Sequence, residues 1–171
     1  MISTGVLQHM LPIVLSPVTN WATRTGEEII GRGRSLNEAQ LALARRIGVT
    51  RPDQVRYQVV EMLPRPPAEL DMLARHGHVL TPATESVMLG YGICVRRDVD
   101  NIEYWLVHEL VHVMQFERIG NLREFIRQYV ANCLEYGHDE SPFEIEAQTI
   151  TEYLQQAGEI QQMACEVVIE A

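Results

Sequence analysis

The densest chemistry in the sequence lies in five residues, His108-Glu109-Leu110-Val111-His112. Histidines four apart on a helix share one face, one turn apart. That spacing lets both imidazoles reach a single metal ion at about 2.0–2.1 Å. Glu109 is turned about 100° round the helix from the first histidine. It cannot join the ligands, but it can reach a water that the metal polarises. There it can take the proton as that water attacks a carbonyl. A shuffled chain of this composition would show the pattern about 2% of the time, so its surroundings matter. One side of the helix carries Leu106, Val107, Leu110, Val111, Val113 and Met114; the other carries Tyr104, Trp105, His108, His112, Gln115 and Phe116. Both sides read as at least partly buried. Ionisable groups buried there without partners would be costly, and one cation satisfies all of them.

Catalytic zinc usually has three protein ligands and an open position. The downstream candidates for the third are His138, Asp139, Glu140, Glu144 and Glu146. Ser141-Pro142-Phe143-Glu144 also reads as a capping box, which would occupy Glu144 with the helix end. The apolar side of that helix is Phe143, Ala147, Ile150, Leu154 and Ala157. Glu146 projects nearer to it than Glu144 by about 60° of rotation. On residue chemistry alone both glutamates stay open.

The pattern resembles the glutamate zincins, zinc metallopeptidases whose third ligand is a glutamate on a later helix. Glu144-Ile145-Glu146-Ala147-Gln148 is similar to the Glu-x-x-Ala-Asp or Glu-x-x-Ala-Asn segment of several of their branches. The chain is also similar, over about residues 87–154, to a group of small bacterial HExxH proteins of uncharacterised function. The resemblance implies zinc held by His108, His112 and Glu144, with Glu109 as general base, and hydrolysis of a peptide bond in a peptide or protein substrate. Gln148 stands where an Asp or Asn would steady a ligand histidine. Tyr136, His138 or Tyr153 would stabilise the oxyanion, and an edge strand at 89–95 would pair with the substrate backbone. The alternative is a zinc-binding interaction module without hydrolytic activity on the same scaffold, told apart by a closed coordination shell.

The positioning elements follow from periodicity. Residues 27–47 have helical spacing, broken or delayed by Gly31 and Gly33. The secure part starts near Ser35, is capped by Asn37 or Ser35, and ends at Gly48. A strand over 55–63 is stopped by Pro64, Pro66 and Pro67. Pro67 opens a helix to His76, closed by Gly77. A second strand covers 87–95, with Gly90 and Gly92 inside it. The site helix spans 101–118 and ends at Gly120. Asn121 caps the next, to about Leu134, and a polar loop at 137–141 leads into a third, 142–157. The tail from Glu159 is helical or extended. The sum is a small α+β, zincin-like domain, mostly helical with a short central sheet and an HExxH helix. Residues 1–25 read as an N-terminal strap or short helix interrupted by Pro12 and Pro17, and 26–171 as a single domain.

Composition narrows the function. At 171 residues, 46% hydrophobic and 22% charged, the chain suits one globular domain. Its net charge of −9 argues against nucleic acid as a partner. All 14 cationic side chains are arginine, which excludes a Schiff-base or P-loop lysine. Cys94, Cys133 and Cys165 form no CxxC pair, so a reducing, cytoplasmic setting is expected. Cys94, just ahead of the site helix, is expected to be a small buried hydrophobe and not an inhibitory thiolate ligand. No apolar run approaches a membrane span, so no membrane partner is expected. Nothing in the sequence sets an oligomeric state.

Overall fold

The computed structural model describes residues 4–76 and 79–165. Gly77, the expected helix stop, lies outside them. Along the chain run α1 (Thr4–Arg32), β1 (Arg34–Ser35), α2 (Glu38–Ile47), β2 (Arg56–Val60), α3 (Ala68–His76), β3 (Ser86–Leu89), β4 (Gly92–Arg96), α4 (Ile102–Ile119), α5 (Leu122–Tyr136), α6 (Pro142–Gln156) and α7 (Glu159–Cys165). Helices dominate around a four-stranded sheet, an α+β arrangement.

The caps lie where polar residues precede apolar runs. Asn37 and Gln40 form a reciprocal capping box on α2, and Gly48 ends that helix at φ 111°. Asn101 caps α4 by accepting from the Tyr104 amide, and Gly120 closes it in the left-handed region. Asn121 caps α5 in the same way. The tail is settled as helix through Cys165.

Two expectations change. Residues 27–32 belong to α1, which runs unbroken through position 25 and contains both Pro12 and Pro17. Both prolines sit on its exposed side, where water can hydrate the carbonyls they leave unpaired. The stretch 87–95 is two strands and not one. Gly90, at φ 70°, turns β3 back onto β4 as an antiparallel hairpin.

The sheet order is β1-β2-β4-β3, with β2 and β4 parallel. β4 is therefore central, and β3 is the edge. This relocates the expected substrate-pairing edge from 89–95 to 86–89. Alternation along β4 sends Ile93 and Val95 into the core shared with α4, and Cys94 into the cluster with Ala22 and Ile29 of α1. The sheet is thus layered between α1 and α4. Gly26 makes the α1 approach possible, since a Cβ there would stand 2.3 Å from the Leu89 carbonyl oxygen. On α4, Leu106, Val107, Leu110, Val111 and Val113 are each at most 1% exposed. Their burial anchors the helix by roughly 1.5–3 kcal/mol apiece. No described helix is long and apolar enough to cross a membrane.

Candidate metal centre

Helix α4 supplies His108, Glu109 and His112, which are 5%, 4% and 5% exposed. Helix α6 packs alongside and places Glu144, 7% exposed, against the two histidines. His108 Nε2 lies 3.1 Å from His112 Nε2. Glu144 Oε2 is 3.2 Å from His108 Nε2, and Glu144 Oε1 is 3.2 Å from His112 Nε2. Three donors bound to one tetrahedral ion would stand about 3.3–3.4 Å apart. The three contacts, two of them to different oxygens of Glu144, are of that scale, and His108, His112 and Glu144 could hold a metal ion.

Proton accounting leaves room for one positive charge, a proton or a metal ion. Gln115 is fully buried, and its amide nitrogen donates to the Phe143 carbonyl and to Glu146 Oε2, each at 2.9 Å. Its oxygen therefore faces His112 Nδ1 at 2.8 Å, and Nδ1 must carry the proton. When His112 is neutral its Nε2 presents a lone pair, and a cation bound there would face the lone pairs of His112, His108 and Glu144 together. In the metal-free site a proton on His112 Nε2 takes that place and faces Glu144 Oε1. Without a metal, burial pushes the His112 imidazolium down, but the Glu144 and Glu109 carboxylates outweigh it, and the net is raised to about 9. Burial likewise pushes Glu144 up, and the two imidazoles bring it well below the usual carboxylate range. Both shifts describe a site that favours positive charge.

The competing readings of Glu144 and Glu146 separate cleanly. Ser141 makes no capping hydrogen bond, so Glu144 is free of the helix end and reaches back to α4. Glu146 instead accepts from Gln115 and from both terminal nitrogens of Arg118. A chain Arg118–Glu146–Gln115–His112 therefore holds one candidate ligand histidine in its tautomer. Gln148 does not take the steadying role: it is exposed and donates to Glu152. His108 Nδ1 is buried with no hydrogen-bond partner among the described residues.

No family model matches the chain, and comparison with curated proteins and with solved structures finds no match.

The three groups expected at the oxyanion part company. Tyr136 and Tyr153 are 51% and 67% exposed and do not line the site. His138 does line it, with Nε2 3.7 Å from Glu144 Oε1 and 3.3 Å from the Tyr129 hydroxyl. Tyr129 itself was not foreseen. Its hydroxyl donates to Glu144 Oε1 at 2.5 Å, and burial beside that carboxylate pushes its pKa well above the ordinary value. The available signal was spacing: Phe125 and Tyr129 are one turn apart on α5, and their rings stack at 5.7 Å. Ser86 was also missed. Its hydroxyl donates to Glu109 Oε1 at 2.6 Å from the edge strand. Trp105 packs edge-on against His108 at 5.5 Å, whereas Phe116 turns away to Tyr91 and Phe125. Cys94 stays outside the triangle at 2% exposure, its thiol pushed up to about 12 by burial and by Glu109.

The triad opens on a cavity of about 910 Å³. It lies past the free edge of the sheet, where β3 ends the layer between α1 and α4, with α3 and α5 forming further walls.

Proposed function

We propose that this chain is a zinc-dependent metallopeptidase-like hydrolase of the glutamate-zincin type. His108, His112 and Glu144 would hold the zinc. The observation that carries the reading is the position of Glu109 in the same cavity as the three ligands, with one carboxylate oxygen held by Ser86 and the other left for a proton. Zinc, when bound, would supply Lewis acidity that makes a water nucleophilic at neutral pH. Glu109 accepts that water's proton as its oxygen bonds to the substrate carbonyl carbon. It then returns the proton to the departing amine as the C–N bond breaks. Ser86 keeps the carboxylate aimed, and Gln115 keeps His112 in the tautomer a cation needs. The edge of β3 lines the same cavity, which supports an extended peptide as substrate, paired through its backbone.

A large cavity beside the triad favours this over the non-catalytic zinc module, whose coordination shell would be closed. The test is metal content of the purified chain, measured with hydrolysis of a proteome-derived peptide mixture, for the wild type and Glu109→Gln. The expected result is zinc retained by both proteins and turnover only in the wild type. Zinc lost from E109Q would make Glu109 structural. A zinc-loaded wild type that cleaves nothing would end the hydrolase reading.

A further inference from the structure

The walls of the cavity divide by chemistry. Polar groups lie on α4, on α6 and the loop before it, and on the segment from Thr81 to Ser86 that leads into β3. The walls from α1 and α3 are aliphatic or aromatic. Leu11, Val14 and Val18 come from one stripe of α1, at spacings of three and four, and Leu70, Ile126 and Val130 come from α3 and α5.

Charge is equally one-sided. Glu85, Asp139 and Glu140 join Glu109 and Glu144 on the lining, and no arginine is among the described lining residues. With no lysine in the sequence, these walls offer no permanently cationic side chain to a phosphate or a carboxylate. Away from the candidate metal centre and its histidines, an acidic substrate would meet carboxylates and apolar surface, both unfavourable. The volume is at the upper end of ordinary ligand pockets, about 300–1,000 Å³. It admits more than a single side chain.

Resting on the hydrolase reading above, we propose that the substrate is an extended peptide segment free of acidic residues. Its bulky apolar side chains lodge between α1, α3 and α5 while its backbone runs along β3. The strand edge supports a peptide over a lipid chain. All four β3 residues line the cavity, and no described strand pairs with their outer side. Selectivity would come from the fit of apolar groups and from rejection of negative charge.

The test begins with binding and needs no turnover. Two fluorescent probes share an arylaminonaphthalene body: neutral N-phenyl-1-naphthylamine and its sulfonated analogue, 1-anilinonaphthalene-8-sulfonate. The full-length E109Q protein should bind the neutral probe at least tenfold more tightly than the sulfonate. Val18→Asp on α1 and Leu70→Ser on α3, each with an unchanged circular dichroism spectrum, should each weaken neutral-probe binding tenfold or more. The two variants sit on different helices of the wall, so one that fails to fold leaves the other to decide. Equal binding of both probes, or neutral-probe binding indifferent to a folded wall variant, overturns the proposal. A second arm digests a peptide library with the zinc-loaded wild type. Cleavage sites flanked by apolar residues and depleted of Asp and Glu support the proposal, and sites rich in acids overturn it. Probe selectivity without any cleavage would retain the apolar, anion-rejecting site and remove only the hydrolase reading.

Discussion

Ser86 Oγ donates to Glu109 Oε1 at 2.6 Å, joining the edge strand β3 to the site helix α4. Both side chains are buried, at 6% and 4% exposure. The carboxylate proposed as general base is thereby fixed by a neutral donor on a neighbouring element.

Removing that donor gives the first prediction. Ser86→Ala should lower the turnover number roughly tenfold, the worth of about 1–1.5 kcal/mol for one hydrogen bond. Metal content should stay unchanged. Kinetics on any peptide the wild type cleaves, paired with metal analysis, make the check. Unaltered turnover would mean that Glu109 needs no help in aiming.

Gln115 gives the second. Gln115→Leu keeps the volume but removes the acceptor at His112 Nδ1. Zinc affinity, read by competition with a chelating dye, should weaken by about 10–100-fold. Glu146→Gln should weaken it less, because the Gln115 oxygen stays in place when its partner is only neutralised.

The third concerns pH in the metal-free protein. His112 rises from 6.5 to about 9, so its contribution to stability is full below pH 6.5 and is lost as pH climbs through 9. Glu144 is held below its ordinary 4.5, so its contribution is present above that pH and lost on acidification. Thermal melts in chelator should therefore peak between about pH 4.5 and 6.5 and fall toward pH 9. Zinc requires neutral imidazole, so the alkaline decline should flatten in its presence. Melts of His112→Gln in chelator provide the control. An alkaline decline of the same size in that variant would assign it to some other group.

A pair of glycines on α1 supplies the fourth. Gly26→Ala would set a Cβ 2.3 Å from the Leu89 carbonyl oxygen and should cost about 1–3 kcal/mol through forced separation of α1 from the sheet. Gly31→Ala, with nothing within 4 Å, should stabilise the same helix by roughly 0.5–1 kcal/mol. Denaturant melts of the two variants should move in opposite directions.

Much of this was legible before any coordinates. His108, Glu109 and His112 were readable because their geometry is local to one helix, as were Asn101 and Gly120 at its ends. Glu144 was legible only through family likeness. Helix phase pointed to Glu146, and the reason it misled is visible: Arg118 and Gln115 draw Glu146 aside, while Glu144 escapes its own cap. Ser86 was illegible because its partner lies 23 residues away and no spacing rule connects them, and the one-turn spacing of Phe125 and Tyr129 marks an aromatic face without pointing to Glu144. The Gly90 turn was read as an irregularity within one strand. A two-residue reversal and a bulge look alike when the pairing partner is unknown. The length of α1 was hidden by Pro12 and Pro17, whose local preference yields to the apolar stripe beneath them.

Helix α1 contributes no ligand and no proton carrier, yet it forms one side of the chamber in front of them. In the proposed hydrolase, chemistry and admission would therefore be carried by separate stretches of chain. Trimming or masking the opening turns should then leave metal binding intact and alter which molecules are let in.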